Sequence, residues 1–320
     1  MNYRKMGKSG LKISEIAIGT WLICDGAVET KTAEAIVKRA IDLGINFVDI
    51  ADRYAHGKAE EVVGRAIRGI QRSDLVISSK VFWPMSDNIN DRGLSRKHIM
   101  ESVDKSLRRI GTDYLDIYFC HRFDSDTESE EVVRAMDDLV HRGKILYWGT
   151  SVWSAAEIEQ AVGEARILQA YKPAVEQPRY NMIDRHIERD IMGVCRRYGL
   201  GLTVWSPLAQ GLLTGKYNDG VPKNSRGDVT LWLKEDLTPA NIQKAKKLAA
   251  LAQKLDITLS QLALAWVLRR PEITCALTGA TRVEHVEMNV MAGGVELSDE
   301  TLTEIETILD NDPNKRLETN

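Results

Sequence analysis

Short apolar runs rich in β-forming residues recur along this chain, and a stretch of amphipathic character follows almost every one. The strand candidates are Ile16–Gly19, Asn46–Asp49, Leu75–Lys80, Tyr114–His121, Ile145–Ser151, Ala174–Gln177, Gly201–Ser206 and Cys275–Thr278. Apolar residues at helical spacing fill Thr32–Leu43, Ala59–Ile67, Ser95–Ile110, Glu130–Arg142, Ala155–Leu168 and Ile187–Tyr198 between them. Ser95 has the chemistry of an N-cap, and Gly44, Gly111, Gly143 and Gly199 stand where helices should stop. A strand–helix alternation of roughly 30–40 residues dictates parallel strands joined by right-handed crossovers. Eight such units favour an α/β fold of the closed (β/α)8 TIM-barrel type over an open doubly wound sheet. The opening Tyr3–Ile13 reads as a small N-terminal β-hairpin around Gly7 and Gly10, and Val283–Val290 and Asp299–Leu309 as extra C-terminal helices.

A length of 320 residues is ordinary for one such barrel. No Pro/Gly/Ser-rich linker or low-complexity tract divides it, so residues 1–320 read as a single domain. The 43 basic and 46 acidic side chains leave a formal charge of -3 and are interspersed, which gives no pull towards nucleic acid. The four cysteines, Cys24, Cys120, Cys195 and Cys275, lie far apart and suit reduced thiols better than disulfides or a zinc site. Cys120 beside His121 could be drawn as a catalytic thiol, but strand alternation favours a small packing residue. The N-terminus lacks an apolar signal core, and no run reaches the roughly 18 apolar residues of a membrane span. The expectation is a soluble, cytoplasmic protein without direct membrane insertion.

Two connections break the rhythm: Phe82–Gly93 after the third strand and Pro207–Pro239 after the seventh. Both leave the C-terminal ends of strands, where barrel active sites are built, and loops this long are commonly lids or binding segments. Three consecutive strands end on polar residues, NFVD at Asp49, LVISSK at Lys80 and DIYFCH at His121. Neighbouring strands lie about 4.8 Å apart, so these side chains can converge within roughly 10 Å. Tyr54, five residues beyond Asp49, can fold back over them.

The set has a coherent chemistry. A carbonyl that receives hydride needs a proton at its oxygen, and tyrosine, with an ordinary pKa of about 10, is a weak donor at neutral pH. An ammonium such as Lys80 lowers that pKa by favouring tyrosinate, Asp49 keeps the ammonium charged and oriented, and His121 can hydrogen-bond the carbonyl oxygen. Taken singly, each residue has a plainer role: a rim lysine, a turn-capping aspartate, a packing tyrosine, a satisfied histidine. Pattern alone leaves both readings open. No GxGxxG follows a strand, GLLTGKY (Gly211–Tyr217) falls one residue short of a phosphate loop, and no metal spacing such as HExxH occurs, so no metal is expected.

The same residues closely resemble the aldo-keto reductase family over nearly the whole chain. NFVDIADRYAHGKAEEVVGRAI is similar to the family's first signature, VISSK to the strand that carries its lysine, and DYLDIYFCHR to the strand that carries its histidine. Within the family, MGKSGLKIS, GTW at Gly19–Trp21, GLSRKHI, VRAM, YWGTS, VEQPRYNM and WSPLAQGLLTGKY resemble the potassium-channel β-subunit branch.

The resemblance implies NADPH or NADP+ laid across the barrel mouth. It assigns cofactor contacts to Thr20 and Trp21 after the first strand, and both catalysis and cofactor contact to Asp49. Ser151 and Gln177 would meet the nicotinamide carboxamide, and Trp205 would stack on the nicotinamide ring. Ser206, Pro207, Leu208, Ala209, Gln210 and Lys216 match the clamping loop, with Lys216 and Arg226 as the cationic pair for a 2′-phosphate. Gly279, Thr281, Arg282, His285 and Asn289 match the adenosine end. Trp21, Tyr54, Trp83 and His121 would wall a pocket for a small carbonyl substrate. The chain departs from the family pattern at Val152, where Arg or Asn is frequent, at Met288, where an acid is common, and in GVPKNSR, which lacks an aromatic before Ser-Arg.

Three activities follow as expectations. The first is an NADPH-dependent aldehyde or ketone reductase, favoured because His121 stands where the animal channel subunits typically carry Asn. The second is an NADPH-binding accessory subunit of a potassium channel or other membrane transporter, with a homotetramer implied by the same branch. The third is a Schiff-base lyase using Lys80 as nucleophile.

Overall fold

The computed structural model describes residues 1–21, 28–223, 225–229 and 235–313, with the backbone alone for Arg226 and Val229. Two short antiparallel strands, β1 (Tyr3–Lys5) and β2 (Lys12–Ser14), form the expected hairpin. Eight parallel strands then close into a barrel: β3 (Ile16–Gly19), β4 (Phe47–Asp49), β5 (Val76–Val81), β6 (Leu115–Cys120), β7 (Ile145–Ser151), β8 (Val175–Gln177), β9 (Gly201–Val204) and β10 (Ile273–Thr278). Strand β10 pairs with both β9 and β3, which closes the ring and confirms the (β/α)8 expectation.

The helices on the outside are α1 (Thr30–Asp42), α2 (Lys58–Ala66), α3 (Arg96–Ile110), α4 (Ser129–His141), α5 (Ala155–Ile167), α6 (Ile191–Tyr198), α7 (Pro239–Lys254), α8 (Leu259–Leu268), α9 (Val283–Val290) and α10 (Asp299–Leu309). Ser95 caps α3 by accepting from His98 N, and Gly111 and Gly199 end α3 and α6 in the left-handed conformation. Helices α7 and α8 lie where the sequence pattern marks none. Nearly every residue of α8 is buried, so it lacks the polar face that would reveal a helical period.

Alternation along each strand sorts the side chains between two cores. Odd-numbered positions such as Phe47, Ile117, Phe119, Val175 and Cys275 fill the barrel interior with Met6 and Ile13 of the hairpin, which plugs its N-terminal end. The alternate positions, such as Ile18, Val48, Ile77 and Tyr118, face the helices. The inward series rises from Phe47 to Asp49, from Val76 through Ser78 to Lys80, and from Ile117 through Phe119 towards His121. Each aliphatic or aromatic side chain in the plug contributes about 1.5–3 kcal/mol of burial. The polar residues stacked on it therefore sit on a dry, rigid floor. Among the described residues, no helix is long and apolar enough to cross a membrane.

Candidate active site

Asp49 is the hub of the polar layer. Lys80 Nζ donates to Asp49 Oδ2 at 2.7 Å and to the carbonyl of Ile50 at 2.6 Å. Asp49 Oδ1 accepts from Ser78 Oγ at 2.8 Å and from Gln177 Nε2 at 3.0 Å. Thr20 Oγ1 donates to the Asp49 carbonyl at 3.1 Å. Thr20, Asp49, Lys80 and Gln177 are all buried. Lys80 Nζ lies 5.0 Å from the centre of the Tyr54 ring, the Tyr54 and His121 rings are 5.9 Å apart edge to face, and Trp83 meets His121 at 6.2 Å. The four residues expected at the strand ends are thus brought together, with Trp83 on their border.

Burial is the strongest single influence on Lys80 and pulls its pKa down. The Asp49 carboxylate, Tyr54 and their hydrogen bonds outweigh it, so the ammonium is held above its ordinary range. Tyr54 differs from expectation. Burial pushes its phenol up, and the Lys80 charge offsets this only in part, so the net shift is upward. The lysine acts in the direction that residue type dictates, but desolvation of the phenol is larger. His121 is driven well below its ordinary pKa by burial first and by the Lys80 and Arg122 charges next, so the imidazole is neutral. Its Nδ1 is buried with no hydrogen-bond partner among the described residues.

Local strain positions Tyr54. Ala55 (φ 49°) and His56 (φ 52°) follow it in left-handed conformations, and Gly57 (φ 88°) opens α2. A Cβ on Gly57 would meet Arg109 Cδ and Nε at 2.7 Å. That arginine is needed there, because Arg109 Nε pairs at 2.5 Å with buried Glu60, whose other oxygen accepts from Ser79 at 2.6 Å. The turn is bolted to β5 and α3, and left-handed non-glycine residues of this kind concentrate where function over-determines the backbone.

The connection after β5 is tied down. Gly93 N donates to Phe82 O, Asp91 accepts from Ser86 and Lys105, and Phe82 packs edge-on against Trp83. After β9 the backbone turns left-handed at Ser206, Ala209, Gln210, Gly211 and Gly215. Lys216 folds back over this turn, so a Cβ on Gly211 would lie 2.6 Å from its Cε. Pro207 is buried and Leu208 half-buried beside it, while Trp205 continues β9 through a bridge to Arg179. Ser151 Oγ donates to the Gln177 carbonyl at 3.0 Å.

At the far end of the mouth, His285 Nε2 lies 3.0 Å from Arg282 Nη2, and Thr281 stands 3.4 Å from Nδ1. Burial, then Arg282 and Lys216, lower the His285 pKa, which brings those two cations and the imidazole into one neighbourhood. Gly279 follows β10 and Asn289 is buried on α9. Trp21 is partly buried beside Thr20. The Arg226 side chain, and Cys24, lie outside the described residues.

Several residues at the site escape the sequence reading. Ser78 shares the inward face with Lys80, a signal that period-two alternation carries. Asn181 holds the Ser206 carbonyl at 3.0 Å, and Asp236 grips Arg179 at 2.6 and 2.5 Å and Gln210 at 3.3 Å, which fixes the loop after β9. Cys120, Cys195 and Cys275 are free and buried, and burial pushes each thiol up, so Cys120 is a packing residue rather than a thiolate.

The aldo/keto reductase family model matches residues 15–310. The chain belongs to the aldo/keto reductase family. A protein of Arabidopsis thaliana named "Probable voltage-gated potassium channel subunit beta" is 43% identical over 98% of this chain and 98% of its own. A rice protein of the same name is 41% identical with the same coverage. Against that aldo/keto reductase pattern Val152 is the departure with a physical cost. It is β-branched, follows β7 and sits at φ 59°, a left-handed conformation that β-branched residues rarely adopt. Val152→Asn should relieve about 1 kcal/mol of that strain, raising the melting temperature by roughly 2–4 °C in a thermal scan.

Proposed function

We propose that this protein reduces aldehydes or ketones with NADPH, Tyr54 delivering the proton. The observation that carries the reading is the convergence of Tyr54, the Lys80–Asp49 pair and neutral His121 at the mouth of a dry barrel. The Tyr54 hydroxyl is the only acidic O–H in this group of four. As its proton leaves, the phenolate forms beside an ammonium that Asp49 and the Ile50 carbonyl already hold in place, so no reorganisation is needed. With Nδ1 enclosed, Nε2 is the imidazole nitrogen left to donate to a carbonyl oxygen, and it does so without adding charge. The same geometry argues against an imine-forming lysine. Lys80 is clamped by two acceptors and kept protonated, which removes the lone pair a nucleophile needs.

The residues present fit a phosphate-rich dinucleotide. The backbone is left-handed at Ser206 and again from Ala209 to Gly211, the local geometry that anion-binding turns use, and Gly211 leaves room for Lys216 to lie over it. Lys216 and Arg282 supply a cationic corner suited to a 2′-phosphate, with the His285 imidazole beside them. In this reading Ser151 and Gln177 hold the carboxamide, Trp205 the ring, Ser206–Gln210 the pyrophosphate, and Gly279, Thr281 and Asn289 the adenosine. Bound NADPH would supply the hydride. Lys216→Ala should weaken NADPH about tenfold, one lost charge contact of about 1.4 kcal/mol, and NADH far less. Fluorescence titration of both cofactors checks this. The reading itself is tested by NADPH oxidation over a carbonyl panel with the alcohol identified; cofactor binding without carbonyl consumption would defeat it.

The names of the relatives favour a second reading, an NADPH-binding cytoplasmic accessory subunit of a potassium channel or other transporter, assembled as a homotetramer. Pull-down from membranes with and without NADPH tests it. Neither a partner nor a cofactor effect would end it.

A further inference from the structure

Arg122 carries a charge that the proposed chemistry does not use. It follows His121 immediately, at the end of β6, and its side chain is half-buried. Its guanidinium lies 5.5 Å from the centre of the Trp83 ring and donates to the His121 carbonyl. Both neighbours border the site, and Tyr54 and His121 each feel the Arg122 charge. Among the described residues no carboxylate stands within ion-pair distance of it. The acidic groups that reach it electrostatically are Tyr54, which stays protonated, and Glu176. Glu176 is buried behind β8 and spends its oxygens on Thr150 Oγ1 and Trp153 N. Burial pushes its carboxyl up to about 7, which weakens it as a counter-charge at neutral pH. Asp124 is likewise committed, to Leu94 N and Thr127 Oγ1.

A cation kept half-buried without a counter-charge costs free energy unless something pairs with it. The Lys80 charge is already matched by Asp49, which leaves Arg122, among the described residues, as the unmatched positive charge beside Tyr54 and His121. A guanidinium stacked on an indole still presents N–H donors in its own plane, in the fork that fits a carboxylate.

We propose that Arg122 selects carbonyl substrates that carry a carboxylate, holding that group against Trp83 while the carbonyl lies between Tyr54 and His121. This rests on the reductase reading and names its substrate class. Charge-assisted pairing of this kind is worth about 10–100-fold in affinity.

The test compares 4-carboxybenzaldehyde with its methyl ester, which share one reacting group. Wild type should favour the acid in kcat/KM, and Arg122→Gln should lower the acid-to-ester ratio at least tenfold, mainly through KM. Arg122→Lys should recover part of that ratio. An unchanged ratio, including an equal fall for both aldehydes, would overturn the proposal and leave Arg122 a packing residue. So would a wild type without preference for the acid, a result that does not depend on any variant folding. If wild type turns over neither aldehyde, the reductase reading fails separately. Quenching of tryptophan fluorescence by benzoate then still decides the point: binding lost in Arg122→Gln supports the anion site, and equal binding by the two proteins overturns it.

Discussion

Tyr54→Phe is expected to lower kcat for carbonyl reduction by about 10²–10⁴-fold, the range a positioned general acid supplies, equivalent to roughly 3–5 kcal/mol of barrier. The substitution deletes one oxygen and keeps the ring that Lys80 and His121 pack against. Cofactor affinity should survive, because Tyr54 is not among the residues proposed to hold it, most of which lie on β7 to β10 and the segments that follow. A variant that loses turnover and NADPH binding together would point to a collapsed site instead. Steady-state kinetics beside a fluorescence titration separates the two outcomes. Burial raises the Tyr54 pKa, so the phenol stays protonated across neutral pH and available as a donor.

Lys80→Met should be the more damaging change to the fold. It leaves the Asp49 carboxylate buried without its cation, although Ser78 and Gln177 still donate to it. Breaking one side of a buried pair costs about 3–5 kcal/mol, which would appear as a lower denaturant midpoint with an unchanged slope. Adding Asp49→Asn removes the stranded charge and should restore part of the loss. The coupling in that double-mutant cycle measures the pair itself. Activity should not return with stability, since the phenolate then forms without a neighbouring ammonium. Recovery of both would place Lys80 in packing alone.

The barrel was legible because strands and helices differ in period, and because Asp49, Lys80 and His121 fall on the inward parity of successive strands. Ser78 shares that parity, although its residue type carries no catalytic signal. What escaped depends on neighbours distant in the chain. Arg179 and Asp236 are 57 positions apart, and nothing local marks them as a pair. Helix α8 hid because burial on every side erases its periodicity. The left-handed turns at Ser206, Ala209 and Gln210 use residues that carry no glycine signal. For Tyr54 the chemical partner was visible in sequence, but the sign of the net pKa shift was not, because desolvation is a property of the packed site.

These limits separate what sequence can specify from what folding adds. Residue type and parity place the acid, the cation and the imidazole. Three-dimensional packing decides that the imidazole is neutral, that the lysine is a clamped cation, and that Arg122 stands unmatched beside His121.

The central claim, reduction by hydride with Tyr54 as proton donor, is tested most directly by isotope transfer. The protein is mixed with 4-nitrobenzaldehyde and NADPH deuterated at the transferable position, and the product is read by mass spectrometry. Benzylic alcohol with one deuterium on the carbinol carbon is expected, formed by wild type and slowed in Tyr54→Phe. No alcohol from a protein that binds the cofactor, or alcohol without deuterium on that carbon, would contradict it.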